Sequence, residues 1–194
     1  MPIKILFVCT CLLFFSCKQN YKNPRIKIET GAGNIEIELY PTQAPRTVSA
    51  FLSYVDSGLY KNASFYRVLN LDNQPSDAYK AELIQGGIYR SNHKRYQSFP
   101  GIPHENTKQT GLHHEDGVIS LARLEPGTAS TEFFICIGKQ PGFDFGGQNN
   151  PDGQGYAAFG RVVKGMEVVR KIYNRPEDDQ AFTPPVSIYD IVRM

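Results

Sequence analysis

Residues 25–39 alternate apolar and polar side chains on either side of a short turn, and few folds can accept that pattern. Arg25-Ile26-Lys27-Ile28-Glu29 and Ile35-Glu36-Ile37-Glu38-Leu39 each repeat with period two, and Gly31-Ala32-Gly33-Asn34 separates them. Period two sends successive side chains to opposite faces of a strand, so the segment reads as an antiparallel hairpin with one buried face. Short apolar runs continue this style at about 64–69, 82–87, 118–122, 132–137, 157–163 and 186–192. With 17 Gly, 13 Pro and many Phe and Tyr, the chain favours a β-rich fold with numerous turns over a helical bundle. Two helices interrupt the strands. Pro45 opens a segment with Val48, Phe51, Leu52 and Val55 at helical spacing and Gly58 placed to end it, and Met166 to Tyr173 fits a second, shorter helix.

A length of 194 residues suits one domain with a full core. Lys and Arg number 21 against 19 Asp and Glu, a formal charge of +2, so no basic surface of the kind that tracks phosphates is expected and nucleic acid is not a partner. Residues 1–16 read as a signal peptide. Lys4 precedes an apolar run from Ile5 to Phe15 that is short for a membrane span, and Ser16-Cys17 then gives way to polar residues at Lys18. A small residue before a cysteine after such a run looks like a bacterial lipobox, which makes Cys17 the lipidation site and residues 17–24 a tether to the domain at 25–194. Cys9 and Cys11 fall in the removed segment, so only Cys136 remains for the domain, without a disulfide partner. In its Phe/Ile-rich strand Cys136 is expected to be a small buried apolar residue and not a nucleophile.

Three long polar connections stand out. Asn70–Ala81 reads as an exposed loop beside the strand Phe65–Leu69, Ser91–Glu115 carries all four histidines, and Phe143–Gly155 is rich in Gly, Asn and Asp. His104, His113 and His114 with Glu105, Glu115 and Asp116 match no closed zinc spacing, and the histidines are expected at the surface, so no metal site is assigned. Gln148–Gly153 lacks the spaced acids of a calcium loop and reads as turns. Glu82 and Glu132 could be imagined as a glycosidase pair, but nothing else in the chain supports a sugar site.

Strict alternation would put Phe65, Arg67 and Leu69 on one face, Leu83 and Gln85 on one face of the next strand, and Glu132, Phe134 and Cys136 on one face of a third. If those faces converge they make a shallow apolar patch holding one cation, an amide and a phenyl ring. Such a set suits a reaction that needs electrostatic and apolar help and no cofactor.

These segments, in this order, resemble the cyclophilin family of peptidyl-prolyl cis-trans isomerases. Ala44-Pro45-Arg46-Thr47-Val48, Phe65-Tyr66-Arg67-Val68, Gln85-Gly86-Gly87, Phe133-Phe134-Ile135, Phe159-Gly160-Arg161-Val162 and Gly165-Met166-Glu167-Val168-Val169 all carry the resemblance, which covers nearly the whole chain after Pro24. It implies a closed eight-stranded antiparallel barrel capped by two helices, with the peptide groove on its outer face. It also implies Arg67, Gln85 and Phe134 as catalytic residues, with Phe65, Leu83, Ala122, Arg123, Glu132, Phe143 and Tyr156 binding substrate. The resemblance implies proline-containing peptides as substrates, and the lipobox reading adds that these are unfolded exported proteins met at the periplasmic side of a bacterial envelope. A closed barrel has no free edges, so a monomer is expected.

Four positions depart from the family pattern. Glu82 stands where a pocket Phe is usual, and the Asn70–Ala81 insertion leaves room for another apolar residue to fill that hollow. Glu132 replaces a common Gln and is expected either to orient Arg67 or to neutralise it; the second outcome would favour a non-catalytic peptide-binding module. Tyr156 replaces a common His and keeps an aromatic wall. Gly142 stands where some members have Trp, which predicts weak cyclosporin binding.

Overall fold

The computed structural model describes residues 21–194, so the expected signal peptide, Cys17 and the start of the tether lie outside the described residues. The hairpin is present: β1 (Arg25–Thr30) pairs antiparallel with β2 (Gly33–Leu39), Ile26 opposite Ile37 and Ile28 opposite Ile35. Helix α1 (Pro45–Asp56) follows, then β3 (Ala63–Leu69) and β4 (Leu83–Gly87). The connection 91–115 contains two single turns, α2 (His93–Tyr96) and α3 (Thr107–Thr110). After it come β5 (Val118–Leu121), β6 (Phe133–Cys136), a 3-10 turn at Pro141–Phe143, and β7 (Ala157–Lys164). Helix α4 (Met166–Tyr173), the two-residue β8 (Glu177–Asp178) and the long β9 (Ala181–Arg193) complete the chain.

The strands run in the order β1-β2-β7-β5-β6-β4-β3-β9, and β9 returns to pair with β1, which closes an eight-stranded antiparallel barrel. Closure leaves each of the eight strands a neighbour on both sides. The interior is filled by alternate residues of every strand, among them Ile26, Ile28, Ile35, Ile37, Ile84 and Ile135, all fully buried. At the centre Phe133 meets Phe51, Tyr60 and Phe65 edge-on, with ring centroids 5.8 Å apart in each pair. That geometry sets the electropositive ring edge against the electronegative face.

The apolar stripe of α1 closes one end of the barrel through Val48, Phe51, Leu52 and Val55. Its first residue with helical geometry is Pro45, whose missing N–H is no loss there. Ala44 offers no capping side chain, and a distant carboxylate does the work: Glu105 accepts the backbone N–H groups of Arg46 and Thr47 at 3.2 and 2.8 Å and the Thr47 hydroxyl at 2.7 Å. The negative group also sits favourably at the positive end of the helix.

Three sequence expectations are corrected. The last strand begins at Ala181, five residues before the expected Val186, because Pro184 and Pro185 obscure a segment that pairs through its other residues. His114 is not a surface residue; its ring is buried between Asp144 and Ser120. Phe65 and Arg67 do not share a face: the β3–β4 register jumps from Phe65 opposite Gly86 to Arg67 opposite Gln85, leaving Tyr66 as an extra bulged residue. A bulge shifts the alternation by one position. Phe65 therefore points into the core, and its expected place in substrate binding is withdrawn.

Candidate active site

The bulge in β3 has a direct consequence for chemistry, since it presents both Tyr66 and Arg67 to the outside of the barrel. Beside Arg67, Leu83 and Gln85 of β4 and Phe134 and Cys136 of β6 face outward by ordinary alternation, with Gln85 directly opposite both Arg67 and Phe134. Leu83, Phe134, Cys136, Ala81 and Phe143 form a second apolar cluster, separate from the barrel core, with Leu69, Ala122 and Tyr156 packed against it. Phe134, Phe143 and Tyr156 form a three-ring corner with centroids 5.2 to 5.3 Å apart. Above this floor lies a groove of about 590 Å³ lined by Arg67, Gln85, Phe134, Leu83, Ala122, Arg123, Glu132, Phe143 and Tyr156. Of the ten residues predicted from the sequence, only Phe65 is absent from the lining.

Arg67 is held by amides. Its Nη1 donates to Gln85 Oε1 at 3.2 Å, while Nε and Nη2 donate to Gln180 Oε1 at 3.1 and 2.7 Å. Among the described residues no carboxylate lies within ion-pairing distance of it. Its charge is thus left for whatever enters the groove. Gln85 in turn donates from Nε2 to the Tyr66 hydroxyl at 2.8 Å, and that hydroxyl donates to Glu132 Oε2 at 2.7 Å.

Glu132 neither orients nor neutralises Arg67 directly, which corrects both expectations for it. Its carboxylate accepts the backbone N–H groups of Ile88 and Tyr89 at 2.8 and 3.1 Å and the hydroxyls of Thr131 and Tyr66. Burial pushes the Glu132 carboxyl above the usual range against the pull of these donors, and burial with the neighbouring Glu132 charge pushes the Tyr66 phenol far up. Gly87 permits this arrangement: its φ is +147°, and a Cβ there would run into the Glu132 carboxylate. Glu82 turns away from the groove to accept a hydrogen bond from the Tyr173 hydroxyl at 2.6 Å. Ala81 and Leu69 occupy the neighbourhood of the hollow in its place.

Arg123 lines the groove with its donors engaged. It forms a two-bond ion pair with Asp152 at 2.7 and 2.9 Å and donates to the Gly155 carbonyl, while its guanidinium lies 5.3 Å from the centre of the Tyr156 ring. The Arg123 hydrogen bonds hold the Asp152 carboxyl below its usual range. Arg123 thus fastens the connection 144–155 that bears on the aromatic corner. Gly142 lies just before it, in the 3-10 turn, where a Cβ would collide with the Asn149 side chain.

Three contributors escaped sequence reasoning. Segment 70–81 is a wall of the groove and not merely an exposed loop: Gln74, Pro75, Ala78 and Tyr79 line it, and Asn149 Nδ2 bonds the Tyr79 carbonyl across the opening. His114 stacks beneath Phe134 at 6.0 Å, braced by Asp144 at 2.7 Å and the Ser120 hydroxyl at 3.0 Å. Burial lowers its pKa, and it stays neutral at pH 7. Gln180 lies 113 residues from Arg67, and no local pattern links the two. Cys136 is buried as expected, and burial pushes its thiol well up, against any role as a nucleophile.

Comparison with known proteins converges on one family. Residues 25–193 match the model of the cyclophilin type peptidyl-prolyl cis-trans isomerase/CLD family. The chain is 36% identical over 155 residues to a peptidyl-prolyl cis-trans isomerase of Acinetobacter baylyi, covering 79% of this chain and 74% of that one. It is 37% identical over 148 residues to peptidyl-prolyl cis-trans isomerase A of Dickeya dadantii, covering 76% and 70%. Among solved structures, a cyclophilin type isomerase of Cryptosporidium parvum, crystallised in the presence of the dipeptide Ala-Pro, superposes with a TM-score of 0.66 at 25% identity over 88% of this chain and 98% of that one. With its closed barrel and its arginine, amide and phenyl ring on one outer groove, the chain belongs to the cyclophilin type peptidyl-prolyl cis-trans isomerases.

Proposed function

We propose that this isomerase uses Arg67 to stabilise the twisted imide and acts on exported proteins from a lipid anchor at Cys17. Rotation about an X-Pro bond breaks amide conjugation against a barrier of about 18–20 kcal/mol and needs no nucleophile. As conjugation is lost the imide nitrogen becomes a better acceptor and the carbonyl swings to a new position. A groove lowers the barrier by bonding that state more strongly than either planar one. The proline ring would rest on Phe134, Leu83 and Phe143, against the wall of Tyr156. Gln85 would anchor the peptide backbone beside it.

The observation that carries this reading is the unpaired charge of Arg67, held by two amides at the edge of an apolar floor. Nη1 and Nη2 each keep a second N–H for substrate. The rival reading, a peptide-binding module without turnover, drew on Glu82 and Glu132. Neither carboxylate touches Arg67, which removes its motive.

A proline-isomerisation assay comparing wild type with Arg67→Ala tests the catalytic role, and equal rates would sink it. The anchor rests on the apolar run Ile5–Phe15 followed by Ser16-Cys17 and polar residues. It places the domain at the periplasmic side of a bacterial membrane. Cys17→Ser should abolish lipid labelling and membrane retention, and an unchanged distribution would count against the anchor.

A further inference from the structure

Two of the three bonds on the Arg67 guanidinium end on Gln180, and the backbone there is unusual. Asp179 and Gln180 form the two-residue connection between β8 and β9, with φ of 46° and 69°. Positive φ at both central residues marks the mirror-image hairpin turn, whose second position is the natural place of glycine because a Cβ is strained there. A long amide occupies it instead. Strain retained at a residue whose side chain reaches into a site points to a task for that side chain.

Every polar atom of Gln180 is engaged. Its Oε1 accepts from Arg67 Nε and Nη2, and its Nε2 donates to the Asn73 carbonyl at 3.0 Å. Its backbone N–H donates to Glu177 Oε2 at 2.7 Å, and its carbonyl accepts the N–H of Val68 at 2.8 Å. Asn73 is tied in turn to β3, since its Nδ2 donates to the Val68 carbonyl at 3.1 Å. The wall segment 70–81, the β8–β9 turn and the strand bearing Arg67 thus meet at one amide.

We infer that Gln180 is the positioning residue for Arg67: it fixes the orientation of the guanidinium, and the wall segment reaches the reaction through it by holding its Nε2. An amide is suited to this work because it accepts two N–H bonds without cancelling the positive charge, which a carboxylate would do. The inference rests on the reading of Arg67 as the catalytic group.

The test uses Gln180→Gly, which removes the side chain and relieves the backbone at once. Isomerisation kinetics with a proline peptide are measured for wild type, Arg67→Ala, Gln180→Gly and the double variant, each beside its thermal midpoint. The expected result is a kcat about tenfold lower for Gln180→Gly with KM within twofold. Its midpoint should stay level or rise, and the double variant should be no slower than Arg67→Ala alone. If Arg67→Ala matches wild type, the catalytic reading itself fails. If Arg67→Ala is slow while Gln180→Gly keeps the wild-type kcat, only the positioning role is overturned. A fall in midpoint with losses that add in the double variant would assign Gln180 to structure and overturn it too.

Discussion

The same three strands, β3, β4 and β6, build two very different surfaces. Inward they offer Phe65, Val68, Ile84, Phe133 and Ile135 to one continuous apolar core. Outward they offer Arg67, Gln85 and Phe134 to a small cluster that is completed by residues from distant loops. The inner face needs only apolar volume at alternate positions, so many sequences would serve it. The outer face needs particular atoms at particular distances, and its supports come from Gln180, segment 70–81 and the Arg123–Asp152 buckle. Most of the stability therefore belongs to the first surface, and on the proposed reading of Arg67 catalysis belongs to the second.

That division can be broken by substitution. The largest effect should come from Phe133→Ala, which empties the centre of the aromatic cluster and should cost about 3–5 kcal/mol of unfolding free energy. Its neighbour Phe134 points the other way, so Phe134→Ala should lose much more activity than stability. Urea unfolding and isomerisation kinetics on the same pair of variants check this, and identical stability losses would erase the distinction between faces. Arg67→Ala should lower kcat/KM by about 10²–10³-fold while leaving the thermal midpoint in place. A smaller loss, about 1–2 kcal/mol with little change in kcat, is expected for Glu105→Ala, which uncaps α1 and does not line the groove.

His114 lies beneath the outer surface, against Phe134 and Phe143, and sharpens the comparison through pH. Burial holds its folded pKa below the ordinary 6.5, so at intermediate pH the unfolded chain binds more protons than the folded one. Its contribution is present above pH 6.5 and is lost as pH falls through the folded value. Thermal midpoints should therefore drop between pH 7.5 and 5, and His114→Gln should flatten that dependence. The Asp144 carboxyl acts at lower pH: burial alone would raise it, but the bonds from His114 and His113 bring it below its usual value of 3.8. Its contribution is lost as pH falls below that value. The smallest effect concerns a drug: with Gly142 in place of a Trp and Asn149 against it, cyclosporin should bind weakly, and a tight dissociation constant by calorimetry would refute this.

Much of the barrel was legible because period two and turn residues are local signals. The Arg25–Leu39 hairpin, α1 from Pro45, and α4 at Met166–Tyr173 all lie where those signals put them. The groove was legible as a set of residues, since Arg67, Gln85 and Phe134 are carried on strands that pair with one another. Alternation failed at Tyr66, where one extra residue moved Phe65 into the core and brought Arg67 outward in its place. A bulge depends on what the neighbouring strand can accept, and here Gly86 supplies the room: a Cβ on it would meet the Ser64 carbonyl at 2.8 Å. Glu132 was judged by its charge and its nearness to Arg67 in the expected pattern. Its partners are instead backbone N–H groups 43 and 44 residues away, which no spacing rule anticipates.

By itself, then, the sequence determined the strand alternation, the two principal helices, the burial of Cys136 and the residue types that chemistry at an X-Pro bond requires. Each follows from a period, a turn former or a side chain's own chemistry. Only the tertiary structure decided which way Phe65 points, that Glu132 leaves Arg67 unneutralised, and that Gln180, itself held by segment 70–81, bonds the guanidinium. Those outcomes depend on hydrogen bonds between residues far apart in the chain, and such bonds have no distance until the barrel has closed.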